Sequence, residues 1–323
     1  MNVISKNQNS EGLAKRFFLP MLILGILSFF VACQDENSIQ TEPDTDQAAL
    51  KEIAEEDSVV SSFELTFDES GDLDFLGKTN TAIYPFRVTH HMFLTSKNLT
   101  IDFQGDTAYG LLTKTFDGTL FIKASFDSAA TEPDTLIKKT FSTTVTRNIV
   151  FVKVNNTQFP KRNWKIAAVS LPEGGTQTAN IDVTKLTAFL PNGDTLVINS
   201  PNDYYLIRQW GHWWRWNHIP VVLLNQDITL QVEVTSAYAD TDYVTLTFGT
   251  NRNGLHRMKK KFELISSTQN GNVYNKVYEQ TFRPQHGFGF HHAIINTMPF
   301  QVVNDDATPV ELESWGVPYF LRN

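Results

Sequence analysis

The chain has 323 residues and one cysteine, Cys33. A single thiol cannot close an internal disulfide, so no covalent staple is expected even in an oxidising compartment. Several catalytic signatures are also missing. There is no G-x-S-x-G elbow, no H-E-x-x-H helix, and no Gly-rich phosphate loop followed by Lys-Ser/Thr. Serine hydrolases built on that elbow, zinc peptidases of that type and nucleotide hydrolases are therefore not expected. An enzyme of this sequence would have to work with carboxylates drawn together in space, as glycoside cleavage does. Asp203, Asp240, Asp242, Glu311 and Glu313 are available for that, though acidic loop residues are more often solvated turn formers. Asp240 and Asp242 could also hold a cation. A non-catalytic role is the expectation, and nucleic acid is not an expected partner.

The N-terminus carries Lys6, Lys15 and Arg16, then the apolar run Phe17 to Ala32. Sixteen residues fall short of the roughly 20 that a membrane-spanning helix needs. A basic head before a short apolar run that ends in small residues reads as a secretory signal covering residues 1–32. Phe30-Val31-Ala32-Cys33 resembles the lipobox of bacterial lipoproteins, and Gln34-Asp35-Glu36 resembles the acidic export signal of Bacteroidetes surface lipoproteins. The resemblance implies cleavage before Cys33, a covalent lipid on its thiol as the only attached group, and anchoring in the outer membrane. Surface exposure is then expected, with a periplasm-facing orientation as the alternative. Several acyl chains hold a membrane stably where one does not.

Charge divides the remaining chain. Cys33 to Leu76 holds fourteen acidic residues and one basic residue, whereas residues 77–323 hold twenty acidic and twenty-three basic ones. The segment 33–76 is therefore expected to be an acidic tether, extended over Gln34 to Gln47. Leu50 and Ile53 lie three apart in good helix-forming composition, which predicts one short helix over Ala48 to Val60.

Beyond Gly77 the apolar period changes to two. Ile228 to Thr235 alternates without a break, with Ile228, Leu230, Val232 and Val234 on one side, as a half-buried antiparallel strand does. Tyr243 to Phe248 is expected to pair with it. Asp117-Gly118, Pro191-Asn192-Gly193-Asp194 and Asn270-Gly271 are each read as hairpin turns, because such pairs accept positive φ. Short strands with repeated turns and little helix imply an all-β fold. Two tandem immunoglobulin-like antiparallel β-sandwiches fit the length, over 77–160 and 161–323, with the polar segment before Pro160 as the boundary. The second is too long for a bare sandwich, and the surplus is assigned to an insertion at about 200–221.

That insertion contains RQWGHWWRWNHIP, Arg208 to Pro220, with four of the six tryptophans and two of the eight histidines. Trp210, Trp213, Trp214 and Trp216 with Arg215 could form a stacking platform for an extracellular ligand, for instance a polysaccharide. The alternatives are that the same rings pack as core in a structural or adhesive module, or that they meet another envelope protein. A metal or haem site would need His212 and His218 with partners from elsewhere, such as His286 and His292. Six residues along a strand is roughly 20 Å, far beyond two ligands of one ion. Arg257 to Lys261, RMKKK, reads either as a patch for acidic polymers or as a lysine-guarded sheet edge.

Overall fold

In the computed structural model the described residues are 42–61, 69–74, 83–176, 180–209, 216–250, 258–285 and 287–322. The N-terminal segment opens with α1 (Glu42–Glu56) and α2 (Ser58–Ser61). Strands β1 (Glu69–Asp74), β2 (Tyr84–Gln104), β3 (Thr107–Ser125) and β4 (Thr135–Lys153) follow. A single turn of helix, α3 (Pro160–Asn163), leads to β5 (Trp164–Ser170), β6 (Glu173–Gly175), β7 (Ile181–Phe189) and β8 (Thr195–Ile198). A 3-10 turn (Pro201–Asp203) precedes β9 (Tyr205–Arg208), β10 (Trp216–Asn217) and β11 (Val221–Leu223). The remaining strands are β12 (Ile228–Ser236), β13 (Tyr243–Thr250), β14 (Met258–Lys261), β15 (Glu263–Asn270), β16 (Val273–Phe282) and β17 (Gly289–Met298). Helix α4 (Phe300–Asn304) and β18 (Glu313–Arg322) close the described chain.

The fold is all-β. The described strands form two sheets. Thirteen belong to one sheet that runs β1-β2-β3-β4-β6-β18-β17-β13-β14, with β5, β9, β10 and β11 attached at its sides. Five form the other, β15-β16-β12-β7-β8. Residue 160, read as a domain boundary, does not part the sheets: β4 before it pairs with β5 and β6 after it. The strands of residues 84–153 therefore share one sheet with β13, β17 and β18, and residues 41–323 form one compact unit. Side chains cross the same line. Arg147 of β4 donates from Nε to the Ser170 carbonyl at 2.9 Å, and Lys139 Nζ donates to the carbonyls of Val302 (2.8 Å) and Thr308 (2.7 Å). The physical reason lies in strand length. β3 keeps an alternating buried face over nearly all of its 19 residues, longer than strands of an ordinary sandwich, which run 3–10 residues. That face needs cover from both halves of the chain.

The turn chemistry divides in an instructive way. Gly193 (φ 87°) and Gly271 (φ 61°) sit in the β7–β8 and β15–β16 hairpins as expected. Asp117-Gly118 is no turn; both residues lie inside β3. A Cβ on Gly118 would fall 2.5 Å from Phe141 Cζ and 2.9 Å from Met92 Cγ, so this glycine makes room for a ring crossing the strand. The β2–β3 hairpin turns instead at Gly105-Asp106, with Gly105 at φ 63°.

β12 shows the alternation read from its sequence, every second residue being buried. It pairs with β7 and β16, not with β13 as expected. β13 lies in the other sheet between β14 and β17. Residues 243–248 are buried without alternation, as suits a strand covered on both faces. Between the two sheets lies the main core, which includes Leu230, Val232, Val234, Leu246, Phe248, Tyr278 and Trp315.

The N-terminal helix starts earlier than expected and breaks at Asp57. Residues 42–47, read as extended tether, are helical. Asp46 is buried beside Lys153 at 3.5 Å, and Leu50 and Ala54 sink into a second cluster with Leu112, Phe151 and Trp164. Asp57 Oδ1 accepts from the Val59 and Val60 amides, which caps α2. Exposed ion pairs from Lys161 to Glu52 (2.7 Å) and Glu56 (2.6 Å) add little stability. Acidic helix thus meets basic body, as the uneven charge of the sequence allows.

Candidate functional site

Strands β9 and β10 are antiparallel neighbours, with Trp216 opposite Arg208, so the expected insertion carries strands of its own. Trp210, His212, Trp213, Trp214 and Arg215 lie outside the described residues. Trp216 is half-buried and packs against both the main core and the cluster under α1. The Arg208 guanidinium covers its ring at 4.9 Å and pairs with Asp57 at 3.0 Å. For this one indole, the core-packing alternative describes its surroundings.

The histidines are spread out. His218, at φ 67°, contacts the Tyr205 carbonyl through Nδ1 at 3.0 Å and meets the Tyr204 ring edge-on. His292 is buried on β17, opposite Pro318 of β18. Its pKa falls to about 3, first through burial and then through the positive charge of Arg147. His286 is not among the described residues. Among the described residues no three His, Cys, Asp or Glu side chains gather as metal ligands. In the basic patch, β14 ends the strand order beside β13. Lys261 lies over the Tyr243 ring at 4.7 Å, and Met258 packs against the main core. Arg257 lies outside the described residues.

The acidic residues named from sequence go to separate places. Asp242 is fully buried with Lys276, whose Nζ lies 2.8 Å from Asp242 Oδ2, so an ammonium occupies the place considered for a cation. Asp240 Oδ2 accepts from Gln301 Nε2, and Glu311 accepts from Asn180 Nδ2. Glu313 is different, because it borders a pocket of about 280 Å³.

That pocket forms where β6 is wedged between β4 and β18. Only glycine fits the wedge: a Cβ on Gly174 would sit 2.6 Å from the Thr144 carbonyl oxygen, and one on Gly175 would strike the Leu312 carbonyl. β6 contributes Glu173, β7 Asp182, β18 Glu313, β4 Thr144 and Thr146, and the 3-10 turn Asn202. Asn202 Nδ2 donates to Thr146 Oγ1 at 2.8 Å, which ties the turn to β4. Glu313 is held from two sides. Its Oε2 accepts from the Val183 amide at 2.6 Å, and its Oε1 accepts from Trp315 Nε1 at 2.7 Å.

Among the described residues, no lysine or arginine lines this pocket. Burial, the larger cause, and the negative charges of Asp182 and Glu173 push the Glu313 carboxyl up to about 8 against its two donors. Burial also raises Glu173, with Asp182 and Asp203 adding repulsion. Carboxyls raised by desolvation and like charge inside a concavity are the kind of group that marks functional sites. Sequence reading listed Glu313 and Asp203 but missed Glu173 and Asp182. The local signal was Glu173-Gly174-Gly175, a charged residue followed by two glycines where backbones approach closely. Neither a protein-family model nor a curated protein matches this chain.

Proposed function

We propose that this is a non-catalytic, lipid-anchored cell-envelope protein that captures an extracellular ligand bearing a protonated amine. The pocket of Glu173, Asp182 and Glu313 is the proposed binding site. One observation carries the reading: three carboxylates line a pocket of about 280 Å³ with no cationic side chain among its described lining residues. Such a site offers hydrogen-bond acceptors and unbalanced negative charge, so a ligand with a positive charge and several N–H donors complements it. The anchor is the lipid on Cys33 implied by the lipobox resemblance. A hydrolase reading has less support, because both oxygens of Glu313 already accept from Val183 and Trp315. A group so engaged is poorly placed to hand a proton to a leaving group.

The test is calorimetric titration of the protein with putrescine and, in parallel, with 1,4-butanediol, its uncharged counterpart. Saturable binding of the diamine that is lost in Asp182→Asn and absent for the diol is the expected result. Equal responses to both probes, or none up to millimolar concentration, overturn the reading. A neutral oligosaccharide that instead shifts tryptophan fluorescence would return the site to Trp210, Trp213 and Trp214.

A further inference from the structure

We propose that the main sheet encloses a site for one monatomic anion of the halide class, bound by Asn296, Thr245 and Lys259. The site is separate from the acidic pocket and does not depend on the function proposed above. A cavity of about 20 Å³ is lined from β2, β3 and β4 and also from β13, β14, β17 and β18. All seven strands belong to one sheet, so the sheet bends back on itself around the cavity. Its wall has five apolar side chains, Met92, Phe141 and Met298 among them, and five polar ones: His90, Thr245, Lys259, Asn296 and Ser314. Thr245 and Asn296 are register partners on neighbouring strands, and Ser314 stands opposite Asn296 on its other side. Side chains paired in this way share one face and stand about 5 Å apart. Lys259 joins the same face from β14, where it pairs with Thr247, two residues along from Thr245.

Two of the polar groups point to a ligand. Thr245 is 1% exposed and Asn296 9%, yet among the described residues neither Thr245 Oγ1 nor Asn296 Nδ2 has a hydrogen-bond partner. A buried polar atom left alone is costly, so such atoms normally meet a partner, from the protein or from outside it. Ser314 fixes how the Asn296 amide is turned, because its Oγ donates to Oδ1. The amide oxygen is thereby occupied, and its two N–H groups are left over. With the Thr245 hydroxyl and the Lys259 ammonium, the cavity offers donors and a positive charge. An anion accepts from all three side chains at once. A water also accepts, but its own two hydrogens then face a wall that is half apolar. Among the described residues that line the cavity there is no carboxylate to compete for the donors. Volume sets the size of the ligand: about 20 Å³ is little more than one water needs, so a single atom fits and a sulfate or carboxylate does not. Once bound, the ion ties β13, β14 and β17 together from inside the bend of the sheet.

The test is thermal unfolding of the full chain in sodium chloride against sodium gluconate at matched ionic strength, gluconate being too large for the cavity. The expected result is a chloride-specific rise in Tm that saturates, about 3 °C once chloride stands roughly tenfold above its dissociation constant. Thr245→Val keeps the shape of the side chain and deletes one donor, so it should need at least about tenfold more chloride for the same rise. No chloride-specific rise, or one of equal size and midpoint in Thr245→Val, overturns the proposal. Crystals grown in sodium bromide give an independent reading: an anomalous peak within hydrogen-bond distance of Asn296 Nδ2 and Thr245 Oγ1 is expected. Water or empty density at that place refutes the anion, and this reading holds even if Thr245→Val does not fold. A bromide peak without any chloride-specific rise in Tm marks an adventitious ion only and also overturns the site.

Discussion

Replacing Lys276 with methionine would remove one end of an ion pair in which both side chains are fully buried. The perturbation is large because Lys276 is the cation that hydrogen-bonds the buried Asp242 carboxylate. Lys276 Nζ reaches Asp242 Oδ2 at 2.8 Å and also donates to the Asp240 carbonyl. Asp242 would keep two weaker donors, Tyr278 OH at 3.1 Å to Oδ2 and Ser236 Oγ at 3.1 Å to Oδ1. Stranding a buried charge in this way costs about 3–5 kcal/mol, and the two remaining hydroxyls place the estimate near the low end. Burial already raises the Asp242 carboxyl, and Lys276 is the main influence opposing that rise. Without Lys276 the carboxyl rises further. The folded variant then holds a proton that the unfolded chain gives up, so its deficit shrinks as pH falls from 7.5 toward 4 and grows as pH rises. Denaturant unfolding at pH 5 and pH 7.5 reads both magnitude and slope. Adding Asp242→Asn should recover part of the loss, because a neutral amide leaves no buried charge, accepts from one of the two hydroxyls through its oxygen and donates to the other through its NH2. A loss below about 1 kcal/mol at pH 7.5, equal at pH 5, would refute the argument that Lys276 neutralises a buried charge on Asp242.

Two further outcomes are expected. Glu313, raised to about 8, should make the protein lose stability as pH climbs from 6.5 to 8, by roughly 1–2 kcal/mol, because the unfolded chain has already released that proton. His292, held near 3, is neutral in the fold, whereas in the unfolded chain it is half protonated at the lower edge of that window, so it opposes the slope there by about 0.4 kcal/mol; Glu313→Gln should remove the loss of stability in chemical denaturation. Gly118→Ala should destabilise by about 1–3 kcal/mol through its clash with Phe141, while Gly193→Ala meets open space and strains only its backbone; thermal melts of the two would separate overpacking from turn strain.

Much of the local structure was legible before any coordinates. The alternation of β12, the hairpins at Gly193 and Gly271 and the short helix around Leu50 all rest on interactions between near neighbours in sequence. Gly118 shows where such reading stops. Aspartate-glycine inside a β-like run says that the backbone is permissive there, but whether it uses positive φ or clears space for Phe141 depends on what lies above it. The early start of α1 has the same origin: an acidic stretch reads as solvated until Lys153 comes beside Asp46. Of the pocket, Glu313 was visible as an available carboxyl. Its neighbours Glu173 and Asp182 were not, since they reach it from two other strands.

By itself the sequence determined the strand-rich character and the uneven charge, because period, composition and turn chemistry act over a few residues. The pairing partners of β13, the single sheet across residue 160 and the meeting of three carboxylates were decided only when distant strands packed. Burial and mutual repulsion set the proton affinity of Glu313, and both arise from groups brought together by the fold and not by the order of the chain.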